Sequence, residues 1–304
     1  SSGTHSTLRK CMNQILKALN SRLSDTATRE VLEALAGRKV TRIGLSENHI
    51  PWLMACVEEA GGYAIKGYAP FESEADKGKG GWSSRAKNAE PRADVIASWQ
   101  IYIAVTKEAS LIARELELEH REVEFGRVLG IPKCCCHFYQ ATRPLAETMQ
   151  NDFTLFIHWA TTGDGAYPIW TNTLPQYLGS SFLSFAPCSY RCSHAIRYAQ
   201  NSHTFLQSLD ADFARRMLTW HQYSGIYSER QGVHLFNTTA TSLQRFEYDP
   251  KALRSTDEHS PLYQALSAGT HLETSPEQST RIMADKELLL TLSSSDSVFM
   301  HFSE

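Results

Sequence analysis

Five of the chain's seven cysteines fall in two short stretches, "GIPKCCCHFY" at 130–139 and "APCSYRCSHA" at 186–195. Each stretch follows a proline and runs into a helical pattern. A helix N-terminus favours thiolate over thiol, because its unpaired N–H groups and dipole stabilise negative charge. Cys188 and Cys192 are four apart, so on the helix that the spacing predicts they share a face. Cys134 and Cys135 point about 100° apart on an ideal helix. At an irregular first turn both can point inward. Two such helix starts facing each other make a thiolate-rich pocket, which suits a soft metal. Four thiolates hold Zn²⁺ tetrahedrally or a [4Fe–4S] cluster.

Zinc knuckles place turn residues between their cysteines, and the adjacent pair here does not. A cluster spreads its ligands over several irons, so neighbouring cysteines can each bind a different one. The sequence therefore favours a [4Fe–4S] cofactor on Cys134, Cys135, Cys188 and Cys192, with zinc as the alternative. Cys136 is a further metal candidate, a spare, or a reactive thiol. The spacing matches neither a ferredoxin run nor the C-x₃-C-x₂-C of radical SAM enzymes. Two plainer readings stand beside ligation. Free cysteine often simply packs, as expected for Cys11 and Cys56 on apolar helix faces. Cys188 and Cys192, or the vicinal pair, could also cycle as a redox disulfide.

The two motifs together resemble the uncharacterised prokaryotic proteins of domain of unknown function 483. That family's pattern is a "G-x-P-x-C-C" element followed by "P-C-S-x-x-C", matched here by "GIPKCC" and "PCSYRC". "WQIYIAVTKEASLIARELE" before the first motif is also similar. The resemblance covers roughly residues 95 to 200. It implies a shared site at Cys134, Cys135, Cys188 and Cys192 and supplies no activity. Cys136 stands where the family pattern has an aliphatic residue.

Several polar residues flank these motifs. His120 has Glu117 and Glu124 at i−3 and i+4, a helix face that could supply an acid–base pair. His137 and His194 follow the cysteines closely, as ligands or hydrogen-bond donors to ligands. His158 precedes a glycine loop with Asp164 and could line a pocket. The commoner roles for such histidines are surface and packing positions. Arg191 and Arg197 could hold a substrate carboxylate or balance the charge of the thiolates. Solvated helix arginines are the plainer alternative.

These residues need elements to carry them. Apolar spacing predicts helices over "TLRKCMNQILKALNSRL" and "SDTATREVLEALAG", the second capped by Ser24 or Asp25 and closed by Gly37. "KVTRIGLS" reads as a strand and "NHIPWLMACVEEAGG" as a helix ended by Gly61-Gly62. Residues 70–94, rich in Gly, Ser and charge, read as a loop able to act as a lid. "VIASWQIYIAVTK" is a strand, and 108–130 reads as one long helix ending at Gly130. Both cysteine motifs then open helices, the second beginning at Pro187. A short helix is predicted at "NTLPQYLG" and a strand at "SFLSFA". "DADFARRMLTWHQYSGIY" reads as mostly helix. "GVHLF", "LQRFEYD" and "KELLLTLSSSDSVFMHF" supply short strands.

The fold class expected is α/β, with mixed α+β as its variant. An N-terminal α/β part (7–125) precedes a cysteine-motif and C-terminal part (126–304), possible as one continuous domain. Residues 1–6 carry no signal-peptide pattern and are set aside as a remnant of expression. A chain of 304 residues, 42% hydrophobic and 21% charged, with a net charge of −3, is ordinary for a globular protein. It implies no nucleic-acid partner, and no apolar run approaches a membrane span. An odd cysteine count in a long chain fits a reducing, cytoplasmic setting. The function expected is an iron–sulfur enzyme acting on a small molecule by lyase or sulfur-transfer chemistry. It has an open iron in a cleft between the two parts, and acid–base help from His120, His137, His158 or Glu124. A binding protein with a structural zinc or cluster, or a thiol-redox protein, is the alternative. The oligomeric state is not legible.

Overall fold

The computed structural model describes residues 12–73, 86–88, 97–149, 152–163, 165–275 and 279–304. Residues 1–6, most of the 70–94 loop and Asp164 lie outside them. The architecture is mixed α+β, the variant of the expected α/β class, and its sheets are almost wholly antiparallel.

The chain opens with a helix over 12–20 (α1). Then come α2 (Asp25–Leu35), β1 (Thr41–Ser46), α3 (Ile50–Glu59), β2 (Tyr63–Ser73), β3 (Ala86–Asn88) and β4 (Ser98–Ala104). Ser24 caps α2 by accepting from the Ala27 N–H, which satisfies one of the first-turn donors. Gly37 follows the helix in the left-handed region at φ 71, where a side chain would be strained. The strands form a sheet in the order β1-β4-β2-β3, with Thr41 opposite Ile103 and Ile43 opposite Ile101. Ile101, Ile103, Val31, Leu32, Leu53 and Val57 are fully buried, so α2 and α3 cover the sheet through period-matched apolar faces. Parts of 70–94 are strand: β2 runs to Ser73 and pairs with β3.

The long helix expected over 108–130 is two, α4 (Lys107–Leu118) and α5 (Glu122–Val128). The break is at His120, a non-glycine residue at φ 56. The Arg121 N–H donates back to Leu116 O, and the His120 N–H to Glu117 O, which closes α4 in a Schellman-type turn. Gly130, at φ 79, turns the chain into α6 (Lys133–Ala146).

Next come α7 (Thr154–Ala160), the short β5 (Tyr167–Pro168) and a 3₁₀ turn at Leu174–Leu178. "SFLSFA" is not a strand but an irregular buried segment. Its backbone is satisfied by a side chain: the Phe182 N–H donates to His221 Nε2 at 3.0 Å. α8 (Ser193–Leu209) and α9 (Ala211–His221) follow. The remaining strands are β6 (Ser224–Ser228), β7 (Gly232–Phe236), β8 (Thr238–Ser242), β9 (Arg245–Tyr248) and β10 (Arg254–Ser255). After α10 (Pro261–Ala268) come β11 (His271–Thr274), β12 (Thr280–Ala284), β13 (Glu287–Leu292), β14 (Ser297–Met300) and β15 (Phe302–Ser303). They build sheets in the orders β10-β7-β6-β14 and β13-β12-β11-β9-β8. The two strands of "KELLLTLSSSDSVFMHF" thus join different sheets. Phe236, Leu262, Leu266, Leu272 and Ile282 form the core of this region.

The described residues divide into two compact units that interleave along the sequence. One takes in 12–73, 86–141 and 197–216, and the other 142–196 and 217–304, so α6 and α8 each contribute to both. No helix among the described residues is long and apolar enough to cross a membrane.

Candidate metal centre

The first cysteine motif lies where the sequence predicts, in the opening turn of α6. The N–H groups of Cys135 and Cys136 both donate to Pro132 O, at 2.9 and 3.0 Å. Pro132 therefore fills the cap position, and Cys134 and Cys135 are the second and third helical residues. Their sulfurs are 3.9 Å apart, Cys134 half-buried and Cys135 buried.

The second motif departs from expectation. Its helix begins only at Ser193, five residues after Cys188. The Ile196 N–H donates to Cys192 O, so Cys192 is the cap of α8 and Cys188 lies on the turn before it. Helical spacing therefore does not bring Cys188 and Cys192 to one face; a knotted turn does. The Cys192 N–H donates to Ser189 O at 3.1 Å, and the Arg191 N–H to Ser189 Oγ at 3.0 Å. Thr161, at the end of α7, accepts from the Tyr190 N–H at 2.9 Å and from Ser189 Oγ at 3.3 Å. Thr171 donates to Tyr190 O at 2.5 Å, and the buried Tyr190 hydroxyl meets Thr173 at 3.2 Å. The ring of Tyr190 stacks on Tyr167, with centroids 4.9 Å apart. These bonds to Thr161, Thr171 and Thr173 hold the backbone of the partly buried turn, since a buried polar group left unpaired costs about 1–3 kcal/mol. Thr161, Thr171 and Thr173 are thus site-building residues that the sequence did not flag. They lie 17 to 29 positions from the groups they hold, and no local pattern marks them.

The sulfurs of Cys134, Cys135, Cys188 and Cys192 all lie within 4.8 Å of one another. The four positions that the sequence selects thus converge, and they can bind a metal. A single tetrahedral ion with metal–sulfur bonds of about 2.3 Å sets its thiolates about 3.8 Å apart. The Cys134–Cys135 pair, at 3.9 Å, matches that figure, and no pair of the four is more than 4.8 Å apart. Cys135 and Cys192 are buried, while Cys134 and Cys188 reach partial exposure. Cys136 stands outside the group. Its S–H donates to Ile131 O at 3.6 Å, and burial pushes its thiol pKa up, which disfavours the thiolate that ligation requires.

The other flanking residues are dispersed. His120 is exposed at the end of α4. Glu117 receives the Tyr102 hydroxyl at 2.5 Å and pairs with Arg42. Glu124 is exposed and pairs with Arg121 at 3.3 Å; the hydrogen bond from its own backbone N–H, and then that arginine, lower its pKa. The expected face of His120 with two carboxylates is therefore not assembled. His137, His194 and Arg197 are exposed on α6 and α8. His158 is half-buried, its Nδ1 2.9 Å from the Tyr167 hydroxyl, and burial lowers its pKa so the neutral ring is favoured. Arg191 points to the glycine loop, donating to Gly165 O at 3.2 Å, with its guanidinium 5.6 Å from the Tyr167 ring centre. His158, Tyr167 and Arg191 thus share one neighbourhood beside the second motif. A polar cavity of about 410 Å³, lined by residues that include Arg245, Glu273 and Arg281, belongs to the five-stranded sheet and has no motif residue in its wall.

The chain matches no family model, no curated protein and no solved structure.

Proposed function

We propose that the chain is a thiolate metalloprotein in which Cys134, Cys135, Cys188 and Cys192 hold one soft metal ion, zinc before others. The centre fastens the opening turn of α6 to the turn that caps α8. The observation that carries this is the mutual spacing of the four sulfurs, all within 4.8 Å. A [4Fe–4S] cube puts each thiolate on its own iron, with bridging sulfides between the irons, and spreads the thiolates wider than one ion does. The spacing therefore weighs against the cluster that the sequence alone favours. Four thiolates with no other ligand close the coordination sphere, which is the pattern of a zinc that supports structure.

A second reading keeps the [4Fe–4S] cluster and an enzyme of lyase or sulfur-transfer type acting on a small molecule. It draws on the adjacency of Cys134 and Cys135, which no zinc knuckle shares, and on the partial exposure of Cys134 and Cys188. In it, His158 beside Tyr167 supplies a neutral imidazole for proton transfer, and Arg191 meets an anionic substrate group.

Anaerobic purification followed by zinc, iron and sulfide analysis of one sample separates the two. One zinc per chain without sulfide supports the first reading. Iron and sulfide in equal amounts with a brown colour support the second. Metal-free protein, never exposed to air or chelator, overturns both.

A further inference from the structure

Four charged side chains are buried together in the first unit, and the thiolate reading gives them no role. Arg29, Glu30, Glu33 and Lys39 are at most 8% exposed at their side chains. Lys39 Nζ lies 2.7 Å from Glu30 and 3.0 Å from Glu33. Arg29 pairs with the same two carboxylates at 2.7 and 2.9 Å. Thr41 donates to Glu30 at 2.6 Å, and Ser202 on α8 donates to Glu33 at 2.5 Å. Two positive and two negative charges balance. Once buried, such a set tolerates little displacement, because an ion pulled from its partner has no water to replace it.

Lys39 has further contacts that point toward the cysteines. Its ammonium donates to the Tyr198 hydroxyl on α8 at 2.5 Å. Its stem packs on the Gly130 turn: a Cβ placed on Gly130 would lie 3.4 Å from Lys39 Cβ and 3.9 Å from Tyr198 Cε2. Gly130 is four residues before Cys134. Tyr198 is six residues after Cys192, about 9 Å along a helix. Neighbouring residues make the same two attachments. The Val40 N–H donates to Val128 O at 3.4 Å, and Arg38 donates to Asn201 O at 3.4 Å.

We propose that Lys39 is the positioning residue of the thiolate centre, holding the Gly130 turn that leads to Cys134 and Cys135 at a fixed distance from Tyr198 on the helix that Cys192 caps. This rests on the reading of the four cysteines as a metal centre. A tetrahedral ion requires its ligands within about 0.5 Å of the productive geometry, which demands rigid support behind each ligand. The buried ammonium supplies that support at one point.

The test compares the full chain with Tyr198→Phe and with Lys39→Met combined with Glu30→Gln, which keeps the buried charges balanced. Ile282→Ala, a buried core change in the five-stranded sheet, is the control for lost stability. Far-ultraviolet circular dichroism establishes folding; if the double variant does not fold, Tyr198→Phe carries the test. Zinc affinity is read by competition with a chromophoric chelator, and ligand geometry by the absorption of Co²⁺ added in place of zinc. The expected result is zinc binding weakened by about tenfold or more in the double variant and severalfold in Tyr198→Phe, with altered Co²⁺ bands and an unchanged control. Variants that bind zinc and Co²⁺ as the parent does overturn the role of Lys39 and leave the centre standing. A parent chain that takes up neither ion overturns the centre itself, and this role with it.

Discussion

The Cys136 thiol donates to the carbonyl oxygen of Ile131, three residues before the triplet, at 3.6 Å. The bond fixes the third sulfur in the turn that starts its own helix, outside the group that Cys134 and Cys135 join. Three adjacent cysteines thus divide by environment into two candidate ligands and one packing residue.

That division sets the pattern of substitution. Changing Cys134, Cys135, Cys188 or Cys192 singly to Ser is expected to lower metal affinity by at least about tenfold. Cys136→Ala is expected to leave metal content at the parent level. Metal analysis of the five purified variants checks both halves. A Cys136→Ala chain that loses metal contradicts the assignment.

Gly126, inside α5, faces the same sulfur. A Cβ there would stand 2.8 Å from Cys136 Sγ, closer than packed atoms allow. Gly126→Ala should therefore destabilise by about 1–2 kcal/mol although alanine is the better helix former. Cys136→Ala in the same chain should recover most of that loss. Urea titrations of the two single variants and the double variant measure the coupling.

His221 is fully buried and serves as a backbone bridge. Its Nε2 accepts from the Phe182 N–H, and its Nδ1–H donates to Ile169 O at 3.1 Å. Replacement by Leu fills the space but removes the acceptor of the Phe182 N–H, while Ile169 O keeps the Asn172 N–H at 3.1 Å. The expected loss is about 1–3 kcal/mol, read as a lower urea midpoint with an unchanged slope.

His234 ties folding to pH. Burial pushes its pKa down to about 4. Its Nε2–H donates to Gln231 O at 2.8 Å and its Nδ1 accepts from the Ser255 hydroxyl, both of which suit the neutral ring. The unfolded chain takes up this proton near pH 6.5, before the folded chain does, so the folded state loses ground as pH falls between these values. Stability is undiminished above about pH 6.5, and the loss reaches on the order of 3 kcal/mol by pH 4. Urea midpoints of the parent and His234→Gln at pH 7 and pH 4.5 test it. The parent should lose clearly more stability over that interval, and equal losses would remove His234 as the cause.

Much of the fold was legible because it is local. Apolar spacing located α2, α3, α4, α6 and α9, and the caps at Ser24, Gly37 and Gly130 are where side-chain chemistry demands them. The errors fell where a turn or a distant partner overrides the pattern. Periodicity ran through His120 because nothing in its side chain announces a left-handed residue. "SFLSFA" has strand composition, yet its backbone is claimed by His221, nearly forty residues on. The helix drawn from Pro187 begins at Ser193, because Thr161, Thr171 and Thr173 hold the intervening turn.

The sequence by itself determined which atoms could meet: two prolines, each ahead of cysteines that open a helix or lead into one. It also limited the chemistry to what thiolates do, since residue type alone sets ligand softness. Only the tertiary structure decided that the four sulfurs come within one ion's reach and that Cys136 does not join them. It also decided that the flanking carboxylates are engaged by Arg42, Tyr102 and Arg121 instead. Those outcomes depend on contacts between residues far apart in the chain, such as Lys39 with Tyr198. Such contacts arise from burial and charge pairing in three dimensions, and periodicity along one dimension carries no trace of them.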